Sequence, residues 1–330
     1  ETCIPMSDIK RAGLIALNST LELRRERICL LALHLDAWWP CDESRSTVLD
    51  TRGLGLSEKL LTKARSLTCN PDAAAARALH RAEELGARIV TMHDSEYPAQ
   101  LLDLDLPPPV LYCRGKLSSA PRIARVGSRQ ASRLGREIAE LAGRELALRG
   151  LVVVSGFARG VDAAAHRGAL SASQGETIAV LGCGLDFDYP RGHRSLADQI
   201  AAHGAVISEF PFGTRPAAQN FPVRNRIIAA LAEGTLVVEA TARSGSLITA
   251  RLALDLGRDV YAVPGALFDD RSAGPNTLIR DGALLVQHPR DIVESLSWKV
   301  RRHLLPEEDK PVREPLSGPK GNLLNCMKPG

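Results

Sequence analysis

Short apolar runs rich in valine alternate with helix-length segments from residue 122 onward, and this alternation restricts the fold more than any other feature. The runs are continuous, which is typical of strands covered on both faces. Strands that alternate with helices predict a doubly wound, mostly parallel α/β sheet. The predicted strands are residues 122–126, 151–155, 177–181, 205–209, 235–239 and 259–263, with a weaker one at 284–286. The predicted helices between them include residues 133–149, 161–173, 224–232 and 247–256.

The chain before residue 122 lacks this pattern. Helical periodicity predicts helices at residues 24–35, 56–66 and 71–85. Residues 1–95 are therefore expected to form a small all-helical domain, of which about the first 20 residues are atypical. Residues 96–121 contain three consecutive prolines and are expected to form an extended linker. Residues 122–298 form the predicted sheet domain, and the polar, proline-rich residues 299–330 are expected to be a disordered tail.

The composition argues against several classes of protein. The 330 residues contain no run of about 18 apolar residues, so no membrane span is expected. The 7 cysteines form no CxxC pair, which argues against a zinc ribbon or a disulfide framework and favours a reducing cytoplasm. The start of the chain lacks the residue order of a signal peptide. A net charge of +4 is weak support for a polyanion partner, so the positions of the arginines matter more than their number.

Glycine-rich loops follow the predicted strands, at the edge of a parallel sheet where ligands bind. Glycine lets the backbone approach a ligand and point N–H groups at an anion. The glycines expected to cradle phosphate are Gly127, Gly156, Gly160, Gly182 and Gly184. Arginines in the same loops favour a phosphate-bearing partner, although each alone is more often a solvated surface residue. These arginines are Arg129, Arg159, Arg215, Arg224, Arg226 and Arg243.

The loops match no common nucleotide-binding or catalytic motif. The first loop reads GSRQAS and lacks the GxGxxG of dinucleotide-binding folds, and the patterns GxxxxGK[ST], GxSxG and HExxH are missing. Cys183 has no histidine placed by sequence to activate it, so a packed thiol is favoured. Asp162 and His166 share a helix face, but a metal site needs a third ligand, and a hydrogen-bonded pair is the commoner arrangement. The chain is expected to use no metal and no cofactor.

An ordered set of motifs resembles the DprA family, also called Smf, the DNA-processing proteins of natural transformation. The resemblance covers about residues 97–296 and is weaker before them. In chain order the motifs are YPAQLLDLDLPPPVLYCRG, VGSRQAS, VVSGFARGVDAAAH, AVLGCGLDFDYP, SEFPFGTRP, NFPVRNRIIAAL, VVEATARSGSLITA, DVYAVPG and GPNTLIRDGA.

The resemblance implies an extended Rossmann fold in a cytoplasmic, non-enzymatic homodimer. Such a protein protects incoming single-stranded DNA and loads the RecA recombinase onto it. Many members end in a winged-helix domain, which this sequence is expected to lack. Carried over onto matching positions, the DNA contacts fall on Ser128, Arg129, Arg215, Phe221, Arg224 and Asn225. Neighbouring loops extend this expected set to Arg159, Arg226, Ser244, Gly245 and Ser246.

Single-strand binding without sequence preference needs a basic groove and aromatic rings on which bases stack. Phe221 is one candidate ring, with core packing as an equal alternative, and Phe157 is a weaker candidate. Arg224 and Arg226 have a structural alternative as well, because each is expected near the start of a helix. Arginine there is unfavourable next to the positive end of the helix dipole, which makes a functional reason for one of them more attractive.

Two other functions remain open from the sequence. One is a nucleotide-processing enzyme of the phosphoribohydrolase, or lysine decarboxylase-like, type, whose signature is PGGxGTxxE. The nearest stretch here, ARSGSLITA, has Thr249 where the glutamate should stand, so the acid/base group is missing. The other is a nucleotide-sensing module, which would bind mononucleotides and have little affinity for long single strands.

Overall fold

The computed structural model describes residues 6–20, 23–33, 57–67 and 71–305. A nine-stranded sheet dominates these residues. Its strands are β1 (Arg88–Thr91), β2 (Val110–Gly115), β3 (Arg122–Val126), β4 (Val152–Ser155), β5 (Thr177–Val180), β6 (Gly204–Ser208), β7 (Gly234–Val237), β8 (Asp259–Ala262) and β9 (Leu284–Leu285).

The described helices begin before the sheet and continue between its strands. They are α1 (Met6–Asn18), α2 (Arg25–Leu33), α3 (Glu58–Leu67), α4 (Pro71–Glu84), α5 (Arg133–Leu148), α6 (Val161–Ser171), α7 (Arg194–His203), α8 (Asn220–Ala230), α9 (Gly245–Asp255), α10 (Ala273–Arg280), α11 (Pro289–Ser295) and α12 (Trp298–Arg301). Among the residues that the structure describes, no helix has both the length and the apolar composition needed to cross a membrane.

The strands lie in the order β1-β2-β6-β5-β4-β3-β7-β8-β9. From β6 to β9 along this order all neighbours pair in parallel, whereas β2 pairs antiparallel with both β1 and β6. The chain runs outward from β3 through β4, β5 and β6, and then returns to the other side of β3 with β7. The doubly wound, mostly parallel sheet is thus confirmed, and a topological switch point lies between β3 and β7, where such sheets bind ligands.

The central strands are covered on both faces, as their continuous apolar runs predict. All residues of β3, β4, β5, β6 and β7 are buried. Parallel strands need this cover because their crossover helices lie on the faces of the sheet. The buried core holds the strand ends in place, so the loops that leave those ends start from fixed positions.

Two strands lie in the segments predicted to be helical or a linker, and this part of the prediction is wrong. β1 pairs with β2, and β2 pairs with β6 in the register Tyr112↔Ser208. The three prolines end just before β2, and the Pro109 carbonyl accepts a hydrogen bond from the Met92 N–H at 3.0 Å. The strands are short and antiparallel, and prolines stand between them, so they lack the long valine-rich run that marks the other strands.

The helices before the sheet pack on this antiparallel edge. Their apolar side chains, among them Leu14, Ile28 and Leu61, form one buried cluster with Ile89 of β1 and Tyr112 of β2. The predicted helices 56–66 and 71–85 agree with α3 and α4 to within one or two residues, and 24–35 agrees with α2 as far as it is described. The division into domains stays a prediction, because residues 1–5, 21–22, 34–56, 68–70 and 306–330 lie outside the described residues.

The beginning of the predicted tail is ordered. Residues 299–301 belong to α12, and the Leu305 N–H donates a hydrogen bond to the Arg149 carbonyl at 2.9 Å. The predicted boundary at residue 299 is therefore too early by several residues. The rest of the predicted tail lies outside the described residues.

Arg125 is an anomaly in the middle of β3. Its side chain is 0% exposed, and none of its three guanidinium nitrogens has a hydrogen-bond partner among the described residues. The guanidinium lies beneath α5, where Nη1 would be 3.1 Å from a Cβ placed on Gly143. Burial disfavours the charged form and lowers the pKa of Arg125 to about 9. An unpaired buried charge destabilises a fold, so this residue opposes the stability of the core.

Candidate functional site

A pocket of about 340 Å³ lies at the switch point of the sheet. It is walled by the loop after β3, the start of α6, the first half of α8 and the N-terminus of α9. We call it the switch-point pocket. The predicted site residues in its lining are Gly127, Arg129, Phe221, Arg224, Asn225, Ser244, Gly245 and Ser246. The structure therefore brings together residues from loops that are more than one hundred positions apart in the chain.

Arg129 and Phe221 form the mouth of the switch-point pocket. Arg129 is exposed, and its Cζ lies 4.7 Å from the centroid of the half-buried Phe221 ring. The Tyr189 ring stacks on Phe221 with centroids 5.6 Å apart and planes inclined by 27°. On its inner side the Phe221 ring contacts Gly182, where a Cβ would lie 2.8 Å from Cδ1. This group presents a guanidinium and aromatic surface next to each other, which suits both a phosphate and a base.

Arg224 is buried rather than exposed, and its contact with DNA stays a prediction. It lies inside α8, not at its start, and is 4% exposed. Its Nη1 donates to the Gly156 carbonyl at 2.6 Å and to the Val180 carbonyl, and its Nε donates to Asn225 Oδ1 at 3.1 Å. Burial lowers the pKa of Arg224 to about 10. Arg224 therefore joins the ends of β4 and β5 to α8 and fixes the floor of the pocket.

Asn225 and Asp162 complete this buried floor. The Asn225 amide donates to the Gly245 carbonyl at 3.4 Å, which links α8 to the start of α9. Asp162 accepts the Ala158 N–H at 3.2 Å. Burial raises the pKa of Asp162 to about 6, while the positive charge of Arg224 acts in the opposite direction. The 8% exposed side chain of Asn225 thus belongs to the floor, and its contact with DNA stays a prediction.

Arg226 lies outside the switch-point pocket, and its contact with DNA stays a prediction. Its Nη1 donates to the Leu106 carbonyl at 2.8 Å, and its Nη2 forms an ion pair with Glu209. The side chain is 16% exposed. These contacts tie α8 to the end of β6 and to the segment before β2, so Arg226 has a structural role.

The glycines make room for the protein itself, and their role as a phosphate cradle stays a prediction. A Cβ on Gly156 would lie 2.7 Å from the Arg224 guanidinium, and a Cβ on Gly127 would lie 2.6 Å from Val161. Gly160 has φ of +80° and packs against the Ser128 carbonyl. The Gly184 N–H donates to the Thr214 carbonyl at 2.9 Å. Gly182 admits the Phe221 ring.

The N-terminus of α5 is already occupied by a carboxylate. The Ser132 N–H donates to Glu239 Oε2 at 2.8 Å, and the Ser132 hydroxyl donates to Oε1 at 2.5 Å. This is the position at which dinucleotide-binding folds hold a pyrophosphate, since helix N-termini favour negative charge. The sequence prediction placed Glu239 at the end of a strand and missed this role, although a carboxylate directly after a central strand was the available signal.

The N-terminus of α9, in contrast, faces the pocket. The Ser244 hydroxyl caps the helix by accepting the Ser246 N–H at 3.4 Å, and it lies 2.7 Å from the Ser246 hydroxyl. A Cβ on the exposed Gly245 would meet no atom within 4 Å. Ser128 lies beside the pocket, where its hydroxyl accepts the Gln130 N–H at 3.1 Å. The backbone and hydroxyls at this helix start are thus placed to meet an anion.

The remaining predicted arginines are exposed, but they do not converge on the pocket. Arg159 lies beyond its rim on the side of His193, whose pKa is lowered by burial and by Arg167 and Arg159. Arg215 lines a different groove. Arg243 is exposed next to the cap of α9. Of the predicted arginines, Arg129 is the one that lines the pocket with an exposed guanidinium.

Comparison with known proteins identifies the family. The family model described as "DNA recombination-mediator protein A" matches residues 88–297. The chain belongs to this family. The family match starts at the first residue of β1, so it includes the two antiparallel strands that the sequence prediction missed.

Relatives and solved structures agree with this family. The chain is 47% identical over 218 residues to the protein Smf of Escherichia coli K12, covering 65% of this chain and 58% of that protein. It is 40% identical over 223 residues to the DNA processing protein DprA of Bacillus subtilis 168, covering 67% and 75%. The matched region thus spans little more than half of the E. coli protein.

Two solved members of the family share the fold. The X-ray structure of DNA processing protein A from Streptococcus pneumoniae superposes with a TM-score of 0.73 and 32% identity, covering 89% of this chain and 100% of that chain. A structure of DNA processing protein A from Helicobacter pylori, reported for its single-stranded DNA binding mode, gives a TM-score of 0.57 and 31% identity, covering 62% and 94%.

The remaining candidates for catalysis, Cys183 and His166, are buried. Burial raises the pKa of the Cys183 thiol to about 11, which disfavours the thiolate. His166 is buried, and its Nδ1 lies 2.7 Å from the Thr177 hydroxyl. Burial lowers the pKa of His166 to about 3, so it is neutral at physiological pH. Within the described ranges, no three His, Cys, Asp or Glu side chains are grouped as metal ligands would be.

Proposed function

We propose that this chain binds single-stranded DNA at the switch-point pocket. The observation that supports this most strongly is the group at its mouth, where the exposed guanidinium of Arg129 lies 4.7 Å from the Phe221 ring and Tyr189 stacks on that ring. Proteins that bind single strands without sequence preference combine cations that contact the backbone with rings that contact the bases. The capped N-terminus of α9 adds N–H donors to the lining of the same pocket.

A flexible strand fits this pocket better than a dinucleotide does. The pyrophosphate position at the N-terminus of α5 is filled by Glu239. The loop before α5 has an arginine where dinucleotide-binding loops have a second glycine. The Helicobacter pylori relative, reported for its single-stranded DNA binding mode, supports the same ligand. The chain acts, on this proposal, in DNA processing and without a chemical step.

Substitutions of Phe221 test whether a DNA base stacks on its ring. Phe221→Ala is expected to weaken the binding of a labelled oligo-dT roughly 5- to 150-fold, because a base stacked on an aromatic ring contributes about 1–3 kcal/mol. Phe221→Leu is the matched control, since it keeps apolar bulk against Gly182 but removes the flat face of the ring. Fluorescence anisotropy titrations measure both variants. If Phe221→Leu binds as tightly as the wild type, the ring serves packing and the stacking proposal is wrong.

The finer functions rest on the family resemblance. We propose that the protein is a cytoplasmic homodimer that protects incoming single-stranded DNA and loads RecA recombinase onto it during natural transformation. A RecA filament-assembly assay on single-stranded DNA tests the loading step, with faster assembly as the expected result. If saturating protein does not speed up filament assembly, the proposed RecA loading is wrong, whereas the proposed DNA binding is unaffected.

The enzyme interpretation has no supporting observation. Thr249, which stands at the position of the signature glutamate, lines the switch-point pocket and is 1% exposed. The carboxylate in the pocket lining is Asp162, which already accepts the Ala158 N–H. Release of free base from nucleoside monophosphates would contradict the proposed non-enzymatic function.

A further inference from the structure

A second cavity, of about 640 Å³, lies beside the switch-point pocket. One wall is the start of α2 with Leu23, Arg24 and Glu26, and the other is the loop between β6 and α8 with Phe210 and Arg215. We call it the side groove. Its location means that the helical segment before the sheet forms part of a cavity at the ligand-binding edge, a role that the sequence did not indicate.

The two walls of the side groove each carry an exposed arginine. Arg24 and Arg215 are both exposed, and among the described residues neither guanidinium has an ion-pair partner. Glu26 is the acidic residue of the lining. The apolar floor comes from Leu23, which is 8% exposed, and Phe210, which is 3% exposed. Two exposed cations above an apolar floor fit a ligand with phosphates and flat, partly apolar rings.

The helical wall of the side groove is fixed to the sheet. Arg25, the residue after Arg24, is 9% exposed, and its Nη1 donates to Asn18 Oδ1 at 2.8 Å and to the Glu209 carbonyl at 3.3 Å. The Asn18 amide donates to the same Glu209 carbonyl at 3.2 Å. Since Glu209 directly follows β6, these bonds hold the start of α2 against the end of a central strand. These bonds therefore fix the backbone position of Arg24 without the help of a ligand.

The side groove and the switch-point pocket share one dividing segment, residues 217–223. Ala218, Phe221 and Pro222 line the switch-point pocket, whereas Gln219, Asn220 and Val223 line the side groove. The divider is the first turn of α8 and the residues before it. A strand that stacks on Phe221 therefore needs to pass over the first turn of α8 to enter the side groove.

We infer that the side groove continues the single-stranded DNA path, with Arg24 and Arg215 contacting phosphates beyond those held at Arg129. This inference rests on the proposed single-strand binding at the switch-point pocket. On this inference Arg215 contacts the DNA together with Arg24 of the helical segment, and not together with Arg129. It also makes the length of the bound strand depend on that helical segment.

Oligonucleotides of two lengths distinguish binding at the switch-point pocket alone from binding that also extends into the side groove. The double variant Arg24→Glu/Arg215→Glu is expected to bind an oligo-dT of about 16 nucleotides at least ~10-fold more weakly than the wild type, and to bind one of about 4 nucleotides equally well. For the long strand, the salt dependence should also become shallower by about 0.7 in log–log slope for each phosphate that the variant no longer neutralises. Arg77→Glu/Arg144→Glu makes the same charge change at exposed positions of α4 and α5 and controls for the general field.

Each outcome bears on the inference. Equal losses for the short and the long strand would overturn it, because the groove would then not be a separate extension. An unchanged affinity for the long strand would also overturn it and would leave the groove to another partner, such as a protein. If the wild type binds neither strand, the proposed function fails and the inference fails with it. A 4-thiothymidine placed near each end of the long strand provides a second readout, since crosslinks to residues 23–26 or 213–220 are expected from one end.

Discussion

Arg129→Glu should weaken the binding of single-stranded DNA by roughly 100-fold. A hydrogen bond to a charged group contributes about 1.5–3 kcal/mol, and the new carboxylate would repel the phosphate as well. The substitution also removes the contact between the guanidinium and the Phe221 ring. Because every nucleotide presents the same phosphate, the loss of affinity should be equal for oligo-dT, oligo-dA and mixed sequences. Anisotropy titrations with these three oligonucleotides measure it.

Arg144→Glu is the matched control for this prediction. Arg144 lies exposed on α5 and outside the switch-point pocket, so its reversal changes the net charge by the same amount. It should change affinity less than about 3-fold, since exposed charges farther apart than about 8–10 Å are screened at physiological salt. Similar losses for the two variants would show that net charge, not a local contact, governs binding. Arg129 would then have no specific role.

Arg125→Met should stabilise the protein. The guanidinium is 0% exposed and has no hydrogen-bond partner among the described residues, so its removal takes away a desolvation cost without breaking a bond. Replacing buried charged groups by apolar ones of similar size stabilises proteins by about 1–4 kcal/mol in favourable cases. The midpoint of guanidinium-induced unfolding is therefore expected to rise, while binding of single-stranded DNA stays unchanged.

Arg122→Met is the control on the same strand. Arg122 is also buried, but its guanidinium donates to Gln100 Oε1 at 3.3 Å and to the Ser118 carbonyl. Its replacement should lower the unfolding midpoint, since it leaves those acceptors unpaired at a cost of about 1–3 kcal/mol. A lower midpoint for Arg125→Met would show that its guanidinium has a partner that stabilises the fold.

Much of the sheet was predictable because its signal is local. Each central parallel strand is a continuous buried run, and each was predicted to within about two residues at either end. The two antiparallel strands were missed because β1 and β2 are short and separated by prolines, and β2 becomes a strand by pairing with β6, almost one hundred residues later. Such long-range pairing leaves little trace in local periodicity.

The candidate site was predictable only in part, because exposure is decided by tertiary packing. Arg129 and Phe221 were each predicted as site residues, and the structure places them in contact with each other. Arg224 belongs instead to the buried stripe of α8, three and four residues before Ile227 and Ile228, and that spacing was a usable signal. The Arg226–Glu209 pair joins residues on two different elements, and the sequence contains no local sign of it.

The most direct measurement of the central claim is a titration of the wild-type protein with matched single-stranded and double-stranded oligonucleotides over a range of salt concentrations. Tighter binding of the single strand is expected, with log affinity falling linearly with log salt at a slope of about −0.7 for each phosphate neutralised. Arg129→Glu should make that slope shallower. Binding that is insensitive to salt, stronger for the duplex, or limited to mononucleotides would contradict the account.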